Sequence, residues 1–308
     1  MYPSIRSAAC AIICLAIAAP VSAQKPAAPP ASTTLNRIKQ TGKIRLGYQP
    51  DARPFSFRDP SGKPAGYSVD LCLKVADAVK AELGVPTLNI EWDATNANDR
   101  FAAVEDVKVD VFCGADTETL ARRALVDFSI PVFPGGIGAL LRKDAPEHLS
   151  EVLNQKPPSS PTWRASAGQL LQTQTFAVIK GTTAESWLGG RLTEFKVSSK
   201  VEPVANYDAG IKAVLDRKAS VLFGDRAVLL DAVAHNPSGK QLTVLDRAFT
   251  YEAYALPLPR GDDVFRNLVD RTLSRLYPTA EFRALYVQWF GEPSADVVAF
   301  YRWNTRPE

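Results

Sequence analysis

Short apolar runs alternate with segments of helical spacing along most of this chain, and that alternation restricts its fold more than any other feature. Ile44, Leu46 and Tyr48 interleave with Lys43, Arg45 and Gly47, the pattern of a half-buried strand. Pro54-Phe55-Ser56-Phe57, followed by Asp59-Pro60-Ser61-Gly62, reads as extended chain entering a turn. Cys72, Val75, Ala76, Val79 and Leu83 recur at helical spacing, which predicts an amphipathic helix over residues 69–83. Ile90 and Trp92 begin a second strand, residues 100–106 are helical, and residues 109–113 form a short apolar strand ending at Gly114. A short helix over 119–125 and a strand over 137–141 follow. This order predicts an α/β fold, a mainly parallel sheet flanked by helices.

The pattern breaks at residues 150–168, a polar, proline-rich loop for which the sequence offers no functional account. It restarts with a strand over 176–179, a helix after Thr182, a helix near 208–217, a strand over 220–223 and a helix after Asp225. Phe265, Leu268, Val269, Thr272 and Leu276 mark one further helix, and Phe282, Leu285, Tyr286, Trp289 and Phe290 another. Two α/β sheets of this size imply two lobes. The cleft between them is the expected binding site, because open α/β sheets hold ligands beyond the carboxyl ends of their strands.

Residues 1–23 read as a secretory signal peptide, with Arg6, an apolar stretch over 8–19 and small residues Val21 and Ala23 before Gln24. That directs the mature chain to an oxidising compartment outside the cytoplasm. Residues 24–32 form a Pro/Ala-rich flexible leader. The 36 basic and 33 acidic residues leave a net charge of +3, too small an excess for a nucleic-acid binder. Neither CxxC nor HExxH spacing occurs, so no metal site is expected. GxSxG, P-loop and GxGxxG motifs are absent too, so no cofactor is expected, and His148 and His235 lack a matched nucleophile. Asp262 and Asp263 have the look of a helix N-terminus.

Chemistry concentrates in Cys113-Gly114-Ala115-Asp116-Thr117-Glu118-Thr119-Leu120-Ala121-Arg122-Arg123. The stretch leaves a strand end, carries two threonine hydroxyls and starts the short helix, an arrangement suited to an anion. Arg122 adds a bidentate grip for a carboxylate; the alternative is a capped helix with a solvated arginine. Thr182 and Glu185 have capping-box spacing. Asp225 follows an apolar strand, where a carboxylate can meet an ammonium or cap the next helix.

Seven runs in order extend these observations to residues 35–291: Pro54-Phe55-Ser56-Phe57, Gly66-Tyr67-Ser68-Val69-Asp70-Leu71, Asp110 through Arg122, Val126-Asp127-Phe128-Ser129-Ile130-Pro131, Lys180-Gly181-Thr182-Thr183, Gly224-Asp225 and Gln288-Trp289-Phe290. In these runs the chain resembles the polar-amino-acid periplasmic solute-binding proteins of ABC importers, and most of all their glutamate/aspartate-binding branch. The resemblance implies a type II fold of two lobes and two hinge crossovers. Lobe 1 would comprise residues 33–138, lobe 2 residues 139–253, and residues 254–308 would return to lobe 1 with C-terminal helices. It implies a monomer that captures a polar amino acid, acidic ones included, and passes it to a membrane permease. Arg122 would clamp the ligand α-carboxylate together with Thr117. The Ala115 carbonyl and Asp225 would take the α-ammonium, and Thr182 and Thr183 would reach across on closure. Phe55 joins the ligand-binding set.

For the side chain, Arg100 would face a ligand carboxylate, or else pair with Asp99, Glu105 or Asp106. Gln49 and Tyr207 stand where that branch carries an arginine and a histidine, which leaves an amide or other polar ligand open. Ala52 replaces the aromatic that stacks on cationic ligands. Cys72 and Cys113 either form a disulfide or remain two buried thiols. A periplasmic cyclohexadienyl (prephenate/arogenate) dehydratase on the same scaffold is the enzyme alternative, and a sensor partner of a membrane receptor is another.

Overall fold

The computed structural model describes residues 32–155 and 164–307. The signal segment 1–23, the leader up to residue 31 and residues 156–163 of the proline-rich loop lie outside the described residues.

Strand Lys43–Tyr48 is central in the first sheet, with Asn89–Ala94 on one side and Val111–Cys113 on the other, all parallel. Ile44 and Leu46 are fully buried, as the alternation requires. Helix Tyr67–Leu83 covers this sheet through Leu71, Cys72, Val75, Ala76 and Val79, and ends on Gly84 in a left-handed conformation. Cys72 and Cys113 are joined by a disulfide with Cα atoms 6.1 Å apart, which fastens that helix to the end of the third strand.

The second sheet has five strands in the order Lys200–Val204, Thr175–Ile179, Val221–Asp225, Ile137–Arg142, Leu242–Val244. The first three are parallel to one another, and Ile137–Arg142 runs antiparallel to both of its neighbours. Its core is Ile137, Ala139, Leu141, Phe176, Val178, Val221 and Phe223, with Leu149 and Leu188 from flanking helices. Two antiparallel strand pairs lie where the chain passes between the sheets: Phe133–Gly135 with Glu252–Tyr254, and Asp127–Phe128 with Pro257–Leu258. The chain then closes with helices Asp263–Leu276 and Ala280–Phe290, which pack on helix Tyr67–Leu83 of the first sheet.

Four local features differ from the sequence pattern. The helix expected over 119–125 is only a three-residue 3-10 turn, Arg122–Ala124. Leu120 is 87% exposed, so the segment has no apolar face to bury and a longer helix gains nothing from packing. Residues 150–154 close helix Glu147–Asn154, and the second half of the proline-rich stretch enters helix Arg164–Gln172. Ser32, placed in the leader, is the N-cap of helix Thr33–Thr41. That helix carries only Leu35 and Ile38 as large apolar residues, too few to register as a period. Helix Ala295–Asn304 buries only Tyr301, which gives it no apolar stripe either.

Candidate functional site

The C-terminal ends of both sheets and one crossover strand converge on a single group of charged residues. Arg122 stands on the 3-10 turn, half-buried, with its guanidinium 4.7 Å from the Phe101 ring. Its Nη1 donates to the Thr117 carbonyl at 2.8 Å, and its Nη2 donates to the Gly181 carbonyl of the other lobe at 3.3 Å. Burial, and then the neighbouring charge of Arg100, lower the Arg122 pKa to about 10. Asp116, Asp225 and Glu252 pull in the other direction, so all five charges act within one electrostatic neighbourhood.

Asp225 ends strand Val221–Asp225 and precedes helix Arg226–His235, yet its side chain caps nothing. It accepts from the Tyr207 hydroxyl at 2.5 Å and from the Tyr254 hydroxyl at 2.7 Å. Burial raises its carboxyl above the usual range against the pull of the two hydroxyl donors. Burial and the Asp225 charge push both tyrosines well above their ordinary value, so they remain donors. Tyr207 also reaches the first lobe, its backbone N–H donating to Asp51 Oδ2 at 3.1 Å. Gln49 is buried and donates from Nε2 to the other Asp51 oxygen at 3.0 Å.

Thr117 and Thr183 meet on an acceptor that carries no motif. Thr117 Oγ1 donates to Glu252 Oε2 at 2.5 Å and Thr183 Oγ1 to the same oxygen at 2.9 Å, while Thr250 Oγ1 donates to Glu252 Oε1 at 2.8 Å. Glu252 lies on the crossover strand, so one carboxylate ties the two lobes and the hinge together. Thr182 turns its hydroxyl back to the Ile179 carbonyl at 2.7 Å, and Glu185 accepts from the Gly181 N–H, not from Thr182. The capping-box spacing therefore yields only a partial box. Ala115 is half-buried on the path from Cys113 to Thr117.

Two expected ligand residues are placed differently. Phe55 is fully buried in an aromatic cluster with Phe133, Tyr254 and Phe290, at centroid distances of 4.8, 5.6 and 5.4 Å, so its ring packs the core beneath the hinge. Arg100 is buried, and its Nε meets Asp116 Oδ1 while Nη1 meets the Ala97 carbonyl. The pairing is thus with Asp116 and not with Asp99, Glu105 or Asp106. Glu252, Tyr254 and Asp116 escaped the sequence reading. Asp116 stood inside the stretch richest in chemistry, but Glu252 and Tyr254 show nothing except alternation. Two glycines permit this geometry. A Cβ on Gly135 would fall 2.1 Å from the Tyr254 ring, and Gly181 holds φ +76° against Asn98.

Residues 44–292 match the bacterial extracellular solute-binding proteins, family 3. The chain belongs to that family. This solute-binding protein is 29% identical over 292 residues to an L-glutamate/L-aspartate-binding protein of Pseudomonas aeruginosa, covering 94% of this chain and 88% of the relative. It is 25% identical over 289 residues to the glutamate/aspartate import solute-binding protein of Escherichia coli, covering 94% and 90%. Its fold is that of type II binding proteins: a mutant of ArgBP from T. maritima superposes with a TM-score of 0.68 at 23% identity, covering 84% of this chain and 100% of that one. An ancestral amino acid-binding protein, described as a precursor of cyclohexadienyl dehydratase, gives a TM-score of 0.67 at 26% identity with the same coverage. The family and these relatives are solute binders, so the protein is a binding protein and not an enzyme.

Proposed function

We propose that this protein captures a free amino acid in the cleft between its lobes, in the periplasm, and delivers it as a monomer to the membrane permease of an ABC importer. Cleavage after residue 23 would release the mature chain there. One observation carries the reading: a guanidinium from one lobe and a carboxylate from the other stand in one buried neighbourhood, each held by neutral groups. That is what a zwitterion requires, since each of its charges must be paired when the cleft excludes water. Arg122 receives the α-carboxylate, with Thr117 and the start of helix Thr183–Glu194 beside it. Asp225 and the Ala115 carbonyl receive the α-ammonium. Binding is coupled to closure because neither lobe alone offers both charged partners. The names of the two bacterial relatives support amino-acid import as the class of function.

The test is a thermal-shift screen of the twenty amino acids followed by calorimetry, since a ligand of the native state raises the melting temperature. Arg122→Ala should weaken the tightest ligand by at least about a hundredfold, because it leaves a buried carboxylate unpaired. Retention of affinity within a few-fold of wild type would remove Arg122 from the site and the reading with it.

A further inference from the structure

We infer that Asp116 is a specificity-determining residue that turns this cleft against anionic side chains, so that the captured amino acid is one whose side chain carries no negative charge. The inference rests on the amino-acid reading above and departs from what the names of the two bacterial relatives suggest.

The argument is a charge inventory. Arg100 is 4% exposed and Asp116 1% exposed, and they are in direct contact. The Arg100 guanidinium is held further by the Ala97 carbonyl and lies 4.5 Å from the Phe101 ring. Its charge is therefore already met by an internal carboxylate that cannot turn out to water. The other guanidinium, Arg122, is committed to the α-carboxylate and to the Thr117 and Gly181 carbonyls. Gln49 offers an amide, and Asp51 already accepts from it.

Against these two cations stand four carboxylates: Asp51, Asp116, Asp225 and Glu252. A bound zwitterion adds no net charge and leaves the site with negative charge in excess. A second carboxylate on the ligand would raise that excess, and the guanidiniums of Arg100 and Arg122 are already engaged. Hydroxyls of Thr117, Thr183 and Thr250 already surround Glu252, so the ligand cannot borrow them without stranding that group. Two like charges about 5 Å apart at the effective dielectric of a partly buried site lower affinity by about a hundredfold or more. A neutral amide or hydroxyl meets no such penalty.

The mature protein is titrated calorimetrically with glutamate, aspartate and the tightest-binding amino acid found in the screen of twenty. Glutamate and aspartate should each bind about a hundredfold more weakly than that ligand. If either is the tightest ligand or lies within tenfold of it, the inference is overturned while the amino-acid reading stands. If no amino acid raises the melting temperature, the amino-acid reading itself fails. Asp116→Asn frees the Arg100 charge and should narrow the gap for glutamate by at least about tenfold. The double variant Arg100→Gln with Asp116→Asn should restore the gap. An unchanged gap in a cooperatively folded Asp116→Asn protein overturns the inference, and the wild-type titration decides the matter if that variant does not fold.

Discussion

Asp225 ends an apolar strand, where the usual fate of a carboxylate is to cap the next helix. Here two tyrosine hydroxyls draw it away from that role, and burial lifts its carboxyl above the ordinary value of 3.8. An ammonium ligand needs the ionised form. Affinity for an amino acid should therefore fall as pH is lowered, starting at a higher pH than for an ordinary carboxylate. Folding stability should move the other way. A carboxyl whose folded pKa lies above its unfolded value binds its proton more tightly in the native state. Asp225 and Asp116 thus contribute rising stability as pH falls through the window between those values. Calorimetry from pH 8 to pH 4.5 checks the first trend and urea titrations the second. Asp225→Asn should bind the ligand about tenfold to a hundredfold more weakly and with a flattened pH profile. A steep profile retained in that variant would assign the titration to another group. At this scale the sequence marked Arg122 and Asp225 as charged residues at strand and turn ends. It did not mark what faces them, because Tyr254 arrives from a strand 29 residues away and Asp116 points inward from a loop.

Capping and packing decide which segments persist as elements. Asp262 accepts from the Phe265 N–H at the head of helix Asp263–Leu276. Its other oxygen accepts from Ser32 Oγ and from the Thr34 N–H, at 2.8 Å each, at the head of helix Thr33–Thr41. One carboxylate therefore caps two helices far apart in sequence. Burial works to raise its carboxyl, but these donors outweigh it and hold the carboxyl below the usual range. Its contribution is present at neutral pH and lost as pH falls through that depressed value. Asp262→Ala should lower stability by about 2 kcal/mol, as read by urea unfolding at neutral pH. The Cys72–Cys113 disulfide spans 41 residues, and replacing both cysteines with serine should cost about 4 kcal/mol on the chain-entropy estimate. A loss below about 1 kcal/mol would show that the helix-to-strand packing suffices alone. The sequence exposed helices with a full apolar stripe, such as Tyr67–Leu83. It missed Thr33–Thr41, whose stability depends on Asp262 some 228 residues later.

Across the whole molecule, the lobes are joined by a small set of polar contacts. Arg122 reaches Gly181, Tyr207 reaches Asp51, and Glu252 on the crossover strand collects Thr117 and Thr183. Gly181 lies close against the facing lobe, since a Cβ there would approach Asn98 Oδ1 to 2.8 Å. Gly181→Val should lower stability by only about 1–2 kcal/mol, from the left-handed backbone. It should weaken ligand binding by at least about tenfold, because it wedges the lobes apart where Arg122 crosses. A loss of stability with unchanged affinity would count against coupling of closure to binding.

The alternation of strands and helices, the break between two α/β blocks and the seven ordered runs are local properties of the chain. They sufficed to determine the fold class and the family. Tertiary structure alone decided the partner of Arg100, the burial of Phe55 beneath the hinge and the entry of Glu252 and Tyr254 into the cleft. Each of those depends on strand pairing or on a charge contact between segments that sequence spacing does not relate. A side chain's partners in a buried site are set by which chain segments the core brings together, and no local period encodes that choice.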